Sequence, residues 1–105
     1  MSGITRKQQI LEMLQADPND PELRYMLAME HVSEGNDLEA SRCFEELTAV
    51  APNYVPAYHT GARTLARLNH VAEAKALLNH GIPIAFAQGN SHAAGEMQEL
   101  LDSLE

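Results

Sequence analysis

The sequence predicts an all-α fold of about six helices arranged as antiparallel hairpins. Three observations support this prediction. Aromatic residues are scarce at 5% while Ala, Leu, Met and Glu are frequent, which favours helix over sheet. Apolar residues recur at helical spacing between short clusters of turn-forming residues, and the chain repeats itself at a fixed offset. With 105 residues, of which 45% are hydrophobic, we expect one folded domain over 1–105.

The first two helices are predicted from apolar spacing and capping residues. Apolar residues on one helical face predict an N-terminal helix over 4–15, which ends at the helix-breaking cluster 17–21. Asp20 can cap the second helix, with Pro21 at its first position, where a missing N–H costs nothing. An apolar stripe then continues to the neighbourhood of Gly35.

The next three helices follow from similar signals. Asn36 with Glu39 three residues later predicts a capping box at the start of a helix over about 37–50. The segment 51–53 stops that helix, and a fourth runs to about Leu68. A short turn then leads to a fifth helix that begins at Val71.

The end of the chain predicts an interrupted fifth helix and a sixth amphipathic one. Gly81 and Pro83 lie inside the fifth helix, and a proline ring clashes with the preceding turn, so we expect a kink or a break. After a polar turn, Ser91 can cap a helix over 92–104.

An internal repeat appears when the chain is aligned with itself at an offset of 34 residues. Small residues recur where paired helices must approach closely, and proline recurs where each hairpin ends. The matched pairs are Pro18 with Pro52, Asn19 with Asn53, Ala28 with Ala62, Glu39 with Glu73, Ala40 with Ala74 and Ala51 with Ala85.

These positions resemble the tetratricopeptide repeat family, in particular its small bacterial-type members. The resemblance implies a short right-handed solenoid with one unit over 21–54, a second over 55–88, and capping helices over 4–15 and 90–104. The first unit matches the family pattern at Leu27, Ala28, Gly35, Glu39, Ala40, Phe44 and Pro52, and the second at Tyr58, Ala62, Leu65, Glu73, Ala74 and Leu78.

The sequence departs from the family pattern at four places. Gly61 stands where a larger apolar residue is usual, and Phe86 stands where the terminal proline is expected. Arg24 and His31 replace residues that are usually aromatic.

Composition excludes several classes of function. The net charge of -8 opposes the phosphate backbone of a nucleic acid. No apolar run is long enough to cross a bilayer, so we expect no membrane partner. The N-terminal segment lacks the apolar core of a signal peptide, and the single cysteine has no internal disulfide partner, so we expect a cytoplasmic protein.

The residues that usually carry chemistry do not form a recognisable pattern. No two of the five histidines have the spacing that places two imidazoles on one helical face, so we expect no metal site. Cys43 is expected to be a small buried apolar residue. Phosphate-binding and nucleophile motifs are absent from the sequence, so we expect neither an enzyme nor a cofactor.

The family resemblance implies a binding groove on the first helices of the two hairpins. The ligand-facing positions of the family correspond here to Glu22, Tyr25, Met29, Val32 and Ser33, and then to Pro56, His59, Arg63, Ala66 and Arg67. Among these we expect contacts to a protein or peptide from Tyr25, Met29, Val32, His59, Arg63, Ala66 and Arg67. An apolar wall facing a basic wall suits a peptide with an apolar anchor and an acidic group.

Two alternatives remain open from the sequence. Tyr25, Met29 and Val32 could instead pack against the first helix, because periodicity does not separate a groove from a core. The leading functional prediction is an adaptor or scaffold that binds a partner protein without catalysis. The alternative is a structural protein that associates with a second copy of itself as a homodimer.

Overall fold

The computed structural model describes residues 4–105, and this part of the chain folds into six helices with no strand. In chain order, the helices are α1 (Arg6–Ala16), α2 (Pro21–Ser33), α3 (Asp37–Val50), α4 (Val55–Arg67), α5 (Val71–Ala87) and α6 (Ser91–Ser103). The predicted all-α class is confirmed. None of these helices is long and apolar enough to span a membrane.

At the starts of α1, α2, α3 and α6, a side chain accepts a hydrogen bond from a backbone N–H group that has no partner within the helix. Asp20 accepts from the N–H groups of Glu22 and Leu23, which confirms it as the cap of α2. Thr5 and Gln8 form a reciprocal capping box at α1, which we did not predict.

Two of the predicted caps need correction. Asn36 accepts from the N–H of Glu39 as expected, but the Glu39 side chain turns to Arg42, so only half of the capping box forms. The cap of α6 is Asn90 and not Ser91, because the Asn90 side chain accepts from the N–H of Ala93. Ser91 is instead the first residue of the helix.

Three of the helix ends close in the same way. The second residue after the helix takes a positive φ, at Gly35 (76°), Asn69 (64°) and Gly89 (76°). The next N–H then bonds back to a carbonyl five residues earlier, as Asn36 does to His31. This turn reverses the chain within a few residues and makes each hairpin tight.

The helices pack in two rows along an elongated stack. The first helices of the hairpins, α2, α4 and α6, form one row, while α1, α3 and α5 form the other, and each helix packs against the next one in the chain. The molecule measures 48 × 28 × 20 Å. Such a stack gives each row an outer surface of its own.

Two apolar clusters hold the stack together. The first joins α2, α3 and α4 around Phe44 and Leu47, and the second joins α4, α5 and α6 around Leu78 and Met97. Both clusters include fully buried alanines, namely Ala28, Ala40, Ala62 and Ala74. These are the small residues that recur at the 34-residue offset.

Of the kink or break expected at Pro83, the structure excludes the break, because α5 continues through Pro83 to Ala87. Proline removes the hydrogen bond to the carbonyl of Asn79, four residues earlier. Pro83 and Asn79 both lie on the exposed side of α5, where water can satisfy that carbonyl. The buried side of the helix is held by Leu78 and Ala85.

Gly81 permits a close approach of α4, α5 and α6 in the second cluster. A β-carbon at this position would lie 2.6 Å from Tyr58 Cβ, 2.9 Å from Tyr58 Cγ and 3.0 Å from Met97 Sδ. The β-carbon of Tyr58 is fixed to the backbone of α4 and cannot move aside independently. Helices α4, α5 and α6 therefore meet at a point that only glycine allows.

We predict opposite effects for two glycine-to-alanine substitutions. Gly81→Ala should lower the free energy of unfolding by about 1–3 kcal/mol, because overpacking outweighs the gain in helix propensity. Gly95→Ala in α6 should raise it by about 0.5–1 kcal/mol, since nothing lies within 4 Å of its added β-carbon. Urea unfolding followed by circular dichroism measures both, and stabilisation by Gly81→Ala would contradict this packing.

Candidate functional site

The residues predicted from the sequence to face a ligand lie on neighbouring helices of the first row. A hydrogen bond of 2.9 Å between the hydroxyl groups of Tyr25 and Thr60 joins α2 to α4. His59, 34 residues after Tyr25, stands close enough to Glu96 of α6 for that carboxylate to influence its pKa. The two contacts repeat along the row and place α2, α4 and α6 side by side.

Tyr25 belongs partly to the core. Its ring packs against Phe44 at 5.9 Å and Tyr54 at 5.7 Å between ring centroids, both in tilted arrangements. Its hydroxyl group is held by Thr60, so Tyr25 offers a ligand only the part of the ring that stays exposed.

Met29 and Val32 are half-buried and pack against the cluster of α2, α3 and α4. The alternative of core packing thus describes part of each side chain. Ala66 on α4 is likewise half-buried and packs against the second cluster. Together these residues give the row an apolar surface between its polar groups.

His59 is a half-buried histidine whose pKa is lowered. Burial penalises the charged imidazolium and is the main cause, and the nearby Arg63 lowers the pKa further. Glu96 acts in the opposite direction and raises it. The net direction favours a neutral imidazole at neutral pH, so the positive charge of this surface does not come from His59.

Arg67 is engaged within the protein. Its guanidinium donates two hydrogen bonds of 3.0 Å each to the two carboxylate oxygens of Asp37, at the start of α3. This pair lowers the pKa of Asp37, chiefly through the hydrogen bonds, and raises that of Arg67. Arg67 is therefore occupied by an ion pair within the protein, although the sequence placed it with Arg63 on one basic wall.

Arg63 is the exposed arginine that remains available. It makes no hydrogen bond or ion pair with any residue in 4–105, whereas the other arginines there each contact a carboxylate. Lys75 on α5 is the other basic side chain without such a partner in the described chain.

Sequence reasoning missed Glu96 and Thr60 as members of this surface. Both lie on the side of their helix that faces the preceding helix of the row. Helix α6 starts 36 residues after α4, and at this offset Glu96 is the equivalent of Thr60. An alignment of α6 with α4 at 36 residues could therefore have identified Glu96. Helix α5 is three residues longer than α3, so an alignment at 34 residues does not extend to α6.

The remaining candidate chemistry is separated from this row. Cys43 is buried on α3, and burial together with Glu39 and Glu46 raises the pKa of its thiol, which disfavours the reactive thiolate. Within residues 4–105, no three side chains of His, Cys, Asp or Glu converge as metal ligands would.

Known structures resemble most of the stack. A tetratricopeptide repeat domain protein from Salinibacter ruber, solved by NMR, is 34% identical, with a TM-score of 0.79 over 85% of this chain and 90% of that one. A crystal structure of a tetratricopeptide repeat domain protein from the same organism is 32% identical, with a TM-score of 0.76 over 81% and 94% of the two chains.

A protein from Bordetella parapertussis shares the fold, with a TM-score of 0.80 at 20% identity over 95% of this chain and 87% of that one. No protein-family model matches the chain, and neither does any curated protein.

We predict that two neutralising substitutions shift the pKa of His59 in opposite directions. Glu96→Gln should lower it further, because the carboxylate stabilises the imidazolium, and Arg63→Gln should raise it, because a like charge is removed. Proton NMR titration of the ring measures both changes. Arg6→Gln on α1 serves as the control and should leave this pKa unchanged, while equal shifts in all three variants would contradict the described neighbourhood.

Proposed function

Since this chain belongs to the tetratricopeptide repeat family, we propose that it binds a segment of a partner protein on the outer surface of α2, α4 and α6. The proposal includes no catalytic step. Its general part, a module for protein interaction, agrees with the tetratricopeptide repeat proteins that resemble it.

The observation that carries the specific proposal is the unpaired guanidinium of Arg63. A ligand carboxylate can accept two hydrogen bonds from it without displacing an existing ion pair. Arg67 would first have to leave Asp37, so it acts mainly in joining α4 to α3. We therefore propose Arg63 as the polar anchor and Arg67 as a structural neighbour.

Apolar contacts would come from the half-buried side chains near this anchor. Met29 is flexible and polarizable, and it occupies the position on α2 that Arg63 occupies on α4. The exposed edge of the Tyr25 ring, with Val32 and Ala66, extends this surface. An apolar ligand side chain beside a carboxylate would match both parts.

The ligand should carry an isolated carboxylate and not an acidic run. Glu96 stands on the α6 side of His59, and the chain as a whole has a net charge of -8. Several ligand carboxylates would be repelled by this background, while one can pair with Arg63.

We predict that peptides selected from a displayed random library against the purified chain share a carboxylate next to an apolar residue. Arg63→Glu should weaken their binding by about ten- to a hundredfold, since charge-assisted hydrogen bonds contribute about 1.5–3 kcal/mol. Isothermal titration calorimetry measures the change.

Lys75→Glu is the matched control, because it makes the same charge change at the other unpaired cation, on α5. Binding should survive Lys75→Glu and Arg67→Ala. Selected peptides that lack a carboxylate, or an equal loss with Lys75→Glu, would contradict the role of Arg63.

Self-association is a second candidate, favoured by exposed apolar residues at the N-terminal end of the stack. Leu11 and Met13 on α1 and Met26 on α2 are each more than two-fifths exposed. Met26 occupies the position on α2 that Thr60 occupies on α4, and Thr60 faces the preceding helix of its row. In the described row no helix precedes α2, so this side of α2 stays uncovered. These exposed apolar side chains could contact the same side chains of a second copy.

Light scattering at low and high salt tests this candidate. A dimer held by these apolar side chains should persist at high salt, because salt screens charges and not apolar contacts. Met26→Lys should convert such a dimer to a monomer. A monomer under both conditions, or a dimer that tolerates Met26→Lys, would rule out this interface.

A further inference from the structure

A second surface lies on the opposite side of the molecule, between α3 and α5. It is an open groove of about 700 Å³, with α4 as its floor. Phe44, Tyr58, Gly61, Leu65 and Leu77 contribute its deepest apolar surface. The walls are successive turns of α3, from Leu38 to Thr48, and of α5, from Glu73 to His80.

The equivalent place in the preceding hairpin shows that this groove is specific to the second one. There the space between α1 and α3 is only about 130 Å³, with Arg24 and Leu27 on its floor. These residues correspond, at an offset of 34, to Tyr58 and Gly61. Leu27 therefore occupies the place that Gly61 leaves without a side chain.

The rest of the two floors is built alike. Arg24 donates a hydrogen bond of 2.7 Å to the carbonyl of Pro18, and Tyr58 donates one of the same length to the carbonyl of Pro52. The two prolines are also 34 residues apart. The two hairpins thus share their backbone arrangement. The difference in groove volume arises from the side chains that occupy the space between the outer helices.

Gly61 deepens the groove by letting its neighbours sink towards α4. A β-carbon at this position would lie 3.0 Å from Leu77 Cδ2 and 3.1 Å from Phe44 Cβ. Leu77 of α5 and Phe44 of α3 therefore rest directly on the backbone of α4. The groove above them remains open.

The polar groups of the groove are largely satisfied within the protein. The Ser41 hydroxyl donates to the carbonyl of Leu38, the Thr48 hydroxyl donates to that of Glu45, and Tyr58 donates to Pro52. The walls are helices, so their backbone N–H groups are also occupied. An extended peptide would find few partners for its own backbone here, whereas a helix brings its backbone hydrogen bonds with it.

The charges that flank the groove favour a basic occupant. Glu45 on α3 makes no ion pair among the described residues, and Glu73 on α5 has only His70 at 3.7 Å. The one arginine of the lining, Arg42, is already paired with Glu39 at 3.5 Å. Two carboxylates are thus available, one on each wall, for cations of a partner.

We propose that this groove binds an amphipathic helix of a partner protein, with its apolar stripe on Leu38, Leu65 and Leu77 and basic side chains beside Glu45 and Glu73. The lining of α3 extends from Leu38 to Ala49, which corresponds to about 17 Å of helix at 1.5 Å per residue. Three to four turns of the partner, in the range of an average helix, would fill it. This surface is separate from Arg63 and takes a ligand of opposite charge.

The test uses a synthetic four-turn peptide with leucine at every third and fourth position and lysine on both flanks. We expect it to shift the backbone amide signals of α3 and α5 in NMR spectra of the labelled protein and to leave those of α2 unchanged. A second peptide, with glutamate in place of each lysine, should bind at least several-fold more weakly. Equal binding of both peptides, or signal shifts centred on α2, would overturn the proposal.

Two matched substitutions on α5 locate the binding. Ala76 is exposed and lines the groove, so Ala76→Trp should fill it and weaken the lysine peptide by about tenfold or more. Ala72 is exposed on the same helix outside the groove, and Ala72→Trp should have no effect. Circular dichroism confirms that each variant is folded, and an equal effect of the two variants would also overturn the proposal.

Discussion

The close approach of helices at positions without large side chains is the constraint on which this structure depends. Ala28 and Ala62 recur at one place in successive hairpins and Ala40 and Ala74 at another, and all four are fully buried. Gly81 is the extreme case, since even a single added carbon would overlap Tyr58. Without these contacts the helices would separate, and the two rows whose outer surfaces are proposed to bind ligands would lose their registration.

The same constraint explains why the two hairpins differ in shape although they share a pattern. In the first, Leu27 fills the space between the outer helices, and Arg24 crosses the floor to pair with Glu46 at 4.0 Å. In the second, Gly61 removes the filling side chain, and Tyr58 instead stacks on His80, with rings 5.6 Å apart. A departure from the repeat pattern thus changes the surface of the stack while its backbone stays the same.

Much of the fold follows from local sequence signals, and the errors arise where tertiary context decides. Asp20 and the number of helices were predictable, because caps and apolar spacing act within one or two turns. Of the kink or break expected at Pro83, the break does not occur. The cost of proline there depends on whether the freed carbonyl of Asn79 faces water, which periodicity does not reveal. Choosing between Asn90 and Ser91 as a cap was equally uncertain, since both side chains can accept from an N–H.

The candidate site shows the same division between local and distant information. The family pattern located α2 and α4 on one row, but the partner of Arg67 is 30 residues away in the sequence and belongs to the other row. Counting basic residues on a helix therefore overstated the positive charge that this surface can offer.

Pairing, and not net charge, determines which ionic contacts remain for a partner. Five of the seven lysine and arginine side chains are held by carboxylates in the described chain, so a protein of net charge -8 still presents Arg63 as an isolated cation. In the row of α3 and α5, Arg42 is paired with Glu39, so the carboxylates of Glu45 and Glu73 are the unneutralised charges beside the groove. The internal ion pairs thus leave unpaired charges of opposite sign on two surfaces of one acidic chain, and these charges are what would distinguish the two proposed partners.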